Sequence, residues 1–123
     1  MKTALIYIKN YWLILTLVML TIITVLSLLP LGKLPGAPGS DKIHHMIAYA
    51  FLMFPAALRK PVKWKLIGLL FAAFSGIIEL LQPYVNRYGE WSDVAANITG
   101  LVCGLLVAQL ILYFCQLFQI TLK

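Results

Sequence analysis

Acidic residues are scarce in this chain of 123 residues: four Asp and Glu stand against ten Lys and Arg, and charged residues make up only 11%. Soluble domains carry about 25% charged residues. With 62% hydrophobic residues and a mean hydropathy of +0.91, an ordinary soluble domain is excluded and a membrane protein is implied. A net charge of +6 could point to nucleic acid, but there is no soluble basic face and no interleaving of basic and aromatic residues to carry one. Cysteine is sparser still, at two residues. Cys103 and Cys115 fall in one apolar run, about 18 Å apart along a helix and beyond disulfide reach, and are expected to be buried thiols. No CxxC or Cys/His spacing for a metal is present, and neither metal nor cofactor is expected. A cleavable leader is not expected either. The apolar run that begins at Tyr11 is followed by Pro30-Leu31-Gly32-Lys33, which lacks the small residues of a cleavage site, so the run reads as an anchor helix.

What is there is a set of four apolar runs, continuous rather than alternating. Lipid offers the backbone no hydrogen-bond partners, so runs of this kind are helices that satisfy themselves. The fold class expected is all-α: an integral membrane bundle of four transmembrane helices, about 11–29, 42–58, 65–82 and 93–118, in a single domain over 1–123. The second run is short for a span and is expected to be interrupted at Pro55. The third should stop at Pro83, which cannot continue a helix without losing a backbone hydrogen bond. The Pro/Gly stretch from Gly32 to Ser40 reads as a loop whose end, Ser40 or Asp41, caps the next helix.

Basic residues set the orientation. With both termini cytoplasmic, the inner face holds Lys2, Lys9, Arg59, Lys60, Lys63, Lys65 and Lys123, and the outer face only Lys33, Lys42 and Arg87. Lys and Arg favour cytoplasmic loops, so this arrangement is preferred to its inverse.

The stretch from Gly76 to Gly100 then gains a meaning. It places Glu79, Gln82, Arg87, Glu90, Asp93 and Asn97 around the end of one apolar run and the start of the next, where an ionisable group costs about 2.5 kcal/mol or more and is a functional-site hypothesis by default. Helical spacing aligns Asp41, His45, Ala48 or Tyr49, Leu52 and Ala56 on one row, Gly68, Ala72, Gly76, Glu79 and Pro83 on a second with Gln82 beside it, and Asp93, Asn97, Gly100, Gly104 and Ala108 on a third. Each row is polar at its outer end and small-sided below. Small residues four apart let membrane helices approach closely, so the rows should face one another, with His45, Glu79 and Asn97 at similar depth around a polar pocket. Each residue also has a plainer reading. A lone intramembrane Glu or Asn can be interhelical glue, Arg87 a snorkelling cation and Asp93 an N-cap; His44 should face away, and Tyr84, Tyr88 and Trp91 fit an interfacial belt. Six polar residues from three helices on one side favour a site.

Asp41-Lys42-x-x-His45-x-x-x-Tyr49, Glu79-x-x-Gln82, Arg87 and Asp93-x-x-x-Asn97-x-x-Gly100 together resemble the pattern of VanZ-like membrane proteins, over roughly residues 40 to 108. The resemblance implies a small multi-pass protein of the bacterial cytoplasmic (inner) membrane, with a link to low-level teicoplanin resistance. Two departures stand out: the histidine is doubled at His44, and Glu90 adds an acid whose pairing with Arg87 is open.

Three functions compete. In the first, an anionic lipid-linked ligand of the cell envelope, a membrane lipid or a cell-wall precursor, is bound or helped across by Asp41, Lys42, His45, Tyr49, Glu79, Gln82, Arg87, Asp93 and Asn97, with Lys42 and Arg87 meeting phosphate. In the second, a hydrolase or transferase acts on a lipid phosphate, with His45, Glu79 and Asp93 as catalytic candidates; no activated Ser or Cys stands beside the histidine, so binding is favoured over catalysis. In the third, the cluster only locks the bundle.

Overall fold

The computed structural model of the protein describes residues 1–29 and 41–122, and every regular element among them is helical. The expected loop from Gly32 to Ser40, its capping Ser40, and Lys33 lie outside the described residues. Five α-helices follow in order: α1 (Lys2–Asn10), α2 (Trp12–Leu28), α3 (Asp41–Arg59), α4 (Trp64–Leu81) and α5 (Trp91–Leu117), with a 3₁₀ turn over Gln82–Val85 after α4.

The first helix was not anticipated from the apolar runs. Leu5 of α1 is buried while Lys2 is exposed, and α2 sets off from α1 at 75°. Lys9 Nζ donates to the carbonyl of Leu122 at 2.8 Å, which ties the two ends of the chain together. Helix α2 stops where Leu29 turns extended (ψ 132°), as steric crowding asks of a residue that precedes proline.

Pro55 does not break α3, contrary to expectation. The helix runs through it to Arg59, and Pro55 is buried against neighbouring helices. One missing backbone donor is tolerated where packing holds the turn. Pro83 does end α4, converting the chain to the 3₁₀ turn that closes on Asn86 in the left-handed region (φ 58°).

By length and composition two elements can cross a bilayer, Trp64–Val85 and Trp91–Leu117, and α1 with α2 would make a third if the bent pair is one span. Helix α3 carries Asp41, Lys42 and Arg59 at its ends.

Helix α3 is the central element, packed by all four of the others, and its most extensive partner is α5. Tyr49, Leu52 and Ala56 of α3 are almost wholly buried, and so is the α5 row of Asp93, Asn97, Gly100, Gly104 and Ala108, but the α3 residues that α5 meets at its glycines are Met46 and Ala50 rather than that row. A Cβ on Gly100 would collide with the carbonyl oxygen of Met46, and one on Gly104 with that of Ala50. Backbone therefore meets backbone there, as small residues in membrane helices permit. On α4 the buried row is different from the expected one. Gly76 has nothing within 4 Å of a built Cβ, whereas Phe71, Ser75, Ile78 and Glu79 are buried. Cys115 is buried but Cys103 is exposed, so only one of the thiols expected inside is there.

Candidate functional site

Local structure brings the polar residues to one end of the bundle. Asp41, Lys42 and His45 occupy the first turns of α3, Asp93 and Asn97 those of α5, and Glu79 the last turn of α4, with Gln82 beginning the 3₁₀ turn. The segment from Asn86 to Glu90 then folds back over α4. Gly89 makes this possible, because a Cβ there would strike the carbonyl oxygen of Glu79. That close approach aims the Glu90 backbone N–H at Glu79 Oε2, 3.0 Å away. With the Gln82 amide oriented by its hydrogen-bonding surroundings, its nitrogen donates to the same Oε2 at 2.8 Å and to the Tyr88 carbonyl at 3.3 Å.

A second chain of contacts crosses the seam. Asn97 Nδ2 donates to Ser75 Oγ at 2.8 Å, leaving Asn97 Oδ1 to accept from His45 Nδ1 at 3.1 Å. In that tautomer the His45 Nε2 lone pair faces the carboxylate of Asp93, 3.7 Å from Oδ2. Three helices are thus linked by side chains in the order Ser75, Asn97, His45, Asp93.

Above them Lys42 Nζ lies 3.4 Å from Glu90 Oε2 and 3.8 Å from Asp93 Oδ1. The Ser92 hydroxyl, donating to Glu90 Oε2 at 3.0 Å, and then the Lys42 ammonium hold the Glu90 carboxyl below the usual carboxylate range. Glu90 therefore pairs with Lys42 rather than Arg87. Arg87 turns instead toward α2, where Nη1 donates to the carbonyls of Leu26 at 2.8 Å and Leu29 at 3.5 Å. A cation at unsatisfied C-terminal carbonyls is favoured by the helix dipole. Among the described residues the other guanidinium nitrogens of Arg87 make no hydrogen bond.

Two recesses meet at this end. A polar cup of about 460 Å³ is lined by Asp41, Lys42, His45, Gln82, Asn86, Arg87, Tyr88, Glu90 and Asp93. Beside it an apolar groove of about 170 Å³ runs between α2 and α3, lined mainly by Met19, Ile22, Ile23, Leu26 and Ala48, and it shares His45 and Arg87 with the cup.

Of the sequence candidates, Asp41, Lys42, His45, Gln82, Arg87 and Asp93 line the cup. Glu79 and Asn97 are buried in the networks beneath His45 and Asp93, and Tyr49 is a core residue beside Phe74 that reaches the groove but not the cup. His44 is exposed at the groove, off the cluster. Sequence reasoning missed Ser75, although it lies one helical turn before Glu79 and so on its face. It also missed Gly89, Asn86 and the lining role of Tyr88, which only the fold of the 86–90 segment brings over the site.

The three motifs thus converge from α3, α4 and α5 on one cup, and the VanZ/LLP1 family model matches residues 5–113. The chain belongs to the VanZ/LLP1 family. That match covers all five helices except the extremities of α1 and α5, and every residue of this VanZ/LLP1 cup. No curated protein and no solved structure matches significantly. Membership in the family and long apolar helices make this a VanZ-like membrane protein.

Proposed function

We propose that this VanZ-like chain holds an anionic, lipid-linked ligand of the cell envelope, with the ligand's head group in the cup and its hydrocarbon in the groove. The reading rests on one observation: a polar recess and an apolar one adjoin and share His45 and Arg87. An amphiphile needs that pair of surfaces, whereas a water-soluble solute would use only the first. Lys42 and the guanidinium of Arg87, of which only Nη1 hydrogen-bonds among the described residues, suit a phosphate, Arg through its planar fork.

The proposal includes a topology. Four spans with both termini cytoplasmic, in the bacterial inner membrane, would put the cup at the outer surface. The Lys9 to Leu122 contact supports it by tying the chain's ends together, and Arg59, Lys60, Lys63 and Lys65 cluster at the turn between α3 and α4, at the other end of α3 from Asp41. The link to glycopeptide resistance follows from the VanZ resemblance, and an outward site for an envelope lipid is where such an effect would arise.

The test is native mass spectrometry of the full chain with undecaprenyl phosphate and phosphatidylglycerol. Wild type is expected to retain one lipid; Ala48→Trp, which fills the groove, and Lys42→Ala, which removes a cup cation, are each expected to release it. Retention by both variants would refute the proposal.

A further inference from the structure

All four acidic residues of the chain, Asp41, Glu79, Glu90 and Asp93, lie in or directly beneath the cup, against two cations, Lys42 and Arg87. For a site meant to receive an anion, that balance has the wrong sign. Lys42 is shared between Glu90 and Asp93, and Arg87 is drawn to the α2 carbonyls, so that among the described residues no Lys or Arg forms an ion pair with Glu79. Uncompensated charge at that depth is expensive.

The deepest groups have a definite arrangement. His45, Glu79 and Asp93 each offer one ligand atom to a common space, all within 4.8 Å of one another. Glu79 is 5% exposed, and while its Oε2 accepts from Glu90 and Gln82, its Oε1 is buried with no hydrogen-bond partner in the described structure. A carboxylate oxygen left bare in this way costs more than an apolar group would. His45 Nε2 likewise presents its lone pair to Asp93 at 3.7 Å, two electron-rich atoms with nothing between them in that tautomer.

We propose that His45, Glu79 and Asp93 bind a divalent transition-metal ion of the zinc or manganese class. One imidazole and two carboxylates suit such an ion, and metal bonds of about 2.0–2.2 Å require only a small inward movement of the three side chains. Its charge cancels that of the two carboxylates. Asn97 is a positioning residue: by accepting from Nδ1 it turns Nε2 toward the ion, the usual support for a metal-bound histidine. The three ligands leave coordination positions open toward the cup, where a phosphate oxygen can bind. That last role rests on the head-group reading above; the ion itself does not.

The experiment measures metal without lipid. Full-length protein in detergent is stripped with chelator, loaded with Zn²⁺ or Mn²⁺, desalted and assayed by mass spectrometry for metal content, and pulsed EPR of the Mn²⁺ form reads its ligands. About one ion per chain is expected, with the signature of a single imidazole nitrogen. His45→Gln, Glu79→Gln and Asp93→Asn should lose it, and Asn97→Leu should weaken it by about 10–100-fold, while Asp41→Asn and Glu90→Gln keep it. Circular dichroism checks that each variant is folded, and the nitrogen signature needs no variant at all. No retained ion, an ion without the nitrogen signature, or equal losses in Asp41→Asn and Glu90→Gln would overturn the site. Lipid retained after chelation by a protein that holds no metal overturns the ion and leaves the head-group reading standing; metal held with no lipid bound supports the ion and overturns that reading alone.

Discussion

The seam between α3 and α5 is built in two ways along its length. At the Asp93 end the helices are joined by side chains: His45 to Asn97, Asn97 onward to Ser75, and Lys42 to Asp93. One turn further down there are no such links to make, because Gly100 and Gly104 bring the α5 backbone against the carbonyls of Met46 and Ala50. The two halves obey different physics. Close packing tolerates almost no added volume, whereas hydrogen bonds between membrane helices are worth only about 0.6–2 kcal/mol each and can be lost one at a time. A bundle held mainly by its glycine half can keep expensive polar groups in the other half for a purpose besides holding together.

Substitutions can break that contrast, and their expected effects fall in order. Gly104→Val should have the largest, since its side chain must displace the Ala50 backbone rather than a flexible tip; about 3 kcal/mol or more, read as a fall in thermal midpoint in detergent or loss of folded protein. Asn97→Leu comes next. It removes a side chain that serves both His45 and Ser75 in a buried position, and about 1–3 kcal/mol is expected, with the fold retained. Smallest is Lys42→Ala, whose ion pairs are half exposed; the thermal midpoint should scarcely change although lipid retention does. If Lys42→Ala or Asn97→Leu proves as damaging as Gly104→Val, the polar half is structural and the division fails.

The same two halves differ in how legible they were. The glycine half could be read directly: small residues at intervals of three or four on α5 define a face, and that face is buried throughout. The polar half was legible as a set of residues but not as a network. His45, Asp93 and Asn97 were expected to share a site, and spacing places them on their helices, but nothing in the linear order says that Asn97 would reach Ser75 or that Arg87 would turn to α2. On α4 the glycine rule misled, because Gly76 lies off the contact and the buried face runs through Ser75. Glycine is permissive of close approach and does not require it.

Composition and period, which are local quantities, determined that this is a helical membrane protein, which faces of α3 and α5 turn inward, and where the costly side chains lie along each run. Tertiary structure decided what those side chains meet. The fold-back over Gly89, the turn of Arg87 toward α2, and the convergence of His45, Glu79 and Asp93 depend on how helices distant in the chain are rotated and offset against each other. A helical repeat fixes the face a residue occupies, but which atom of another helix stands opposite is set only when the two surfaces pack.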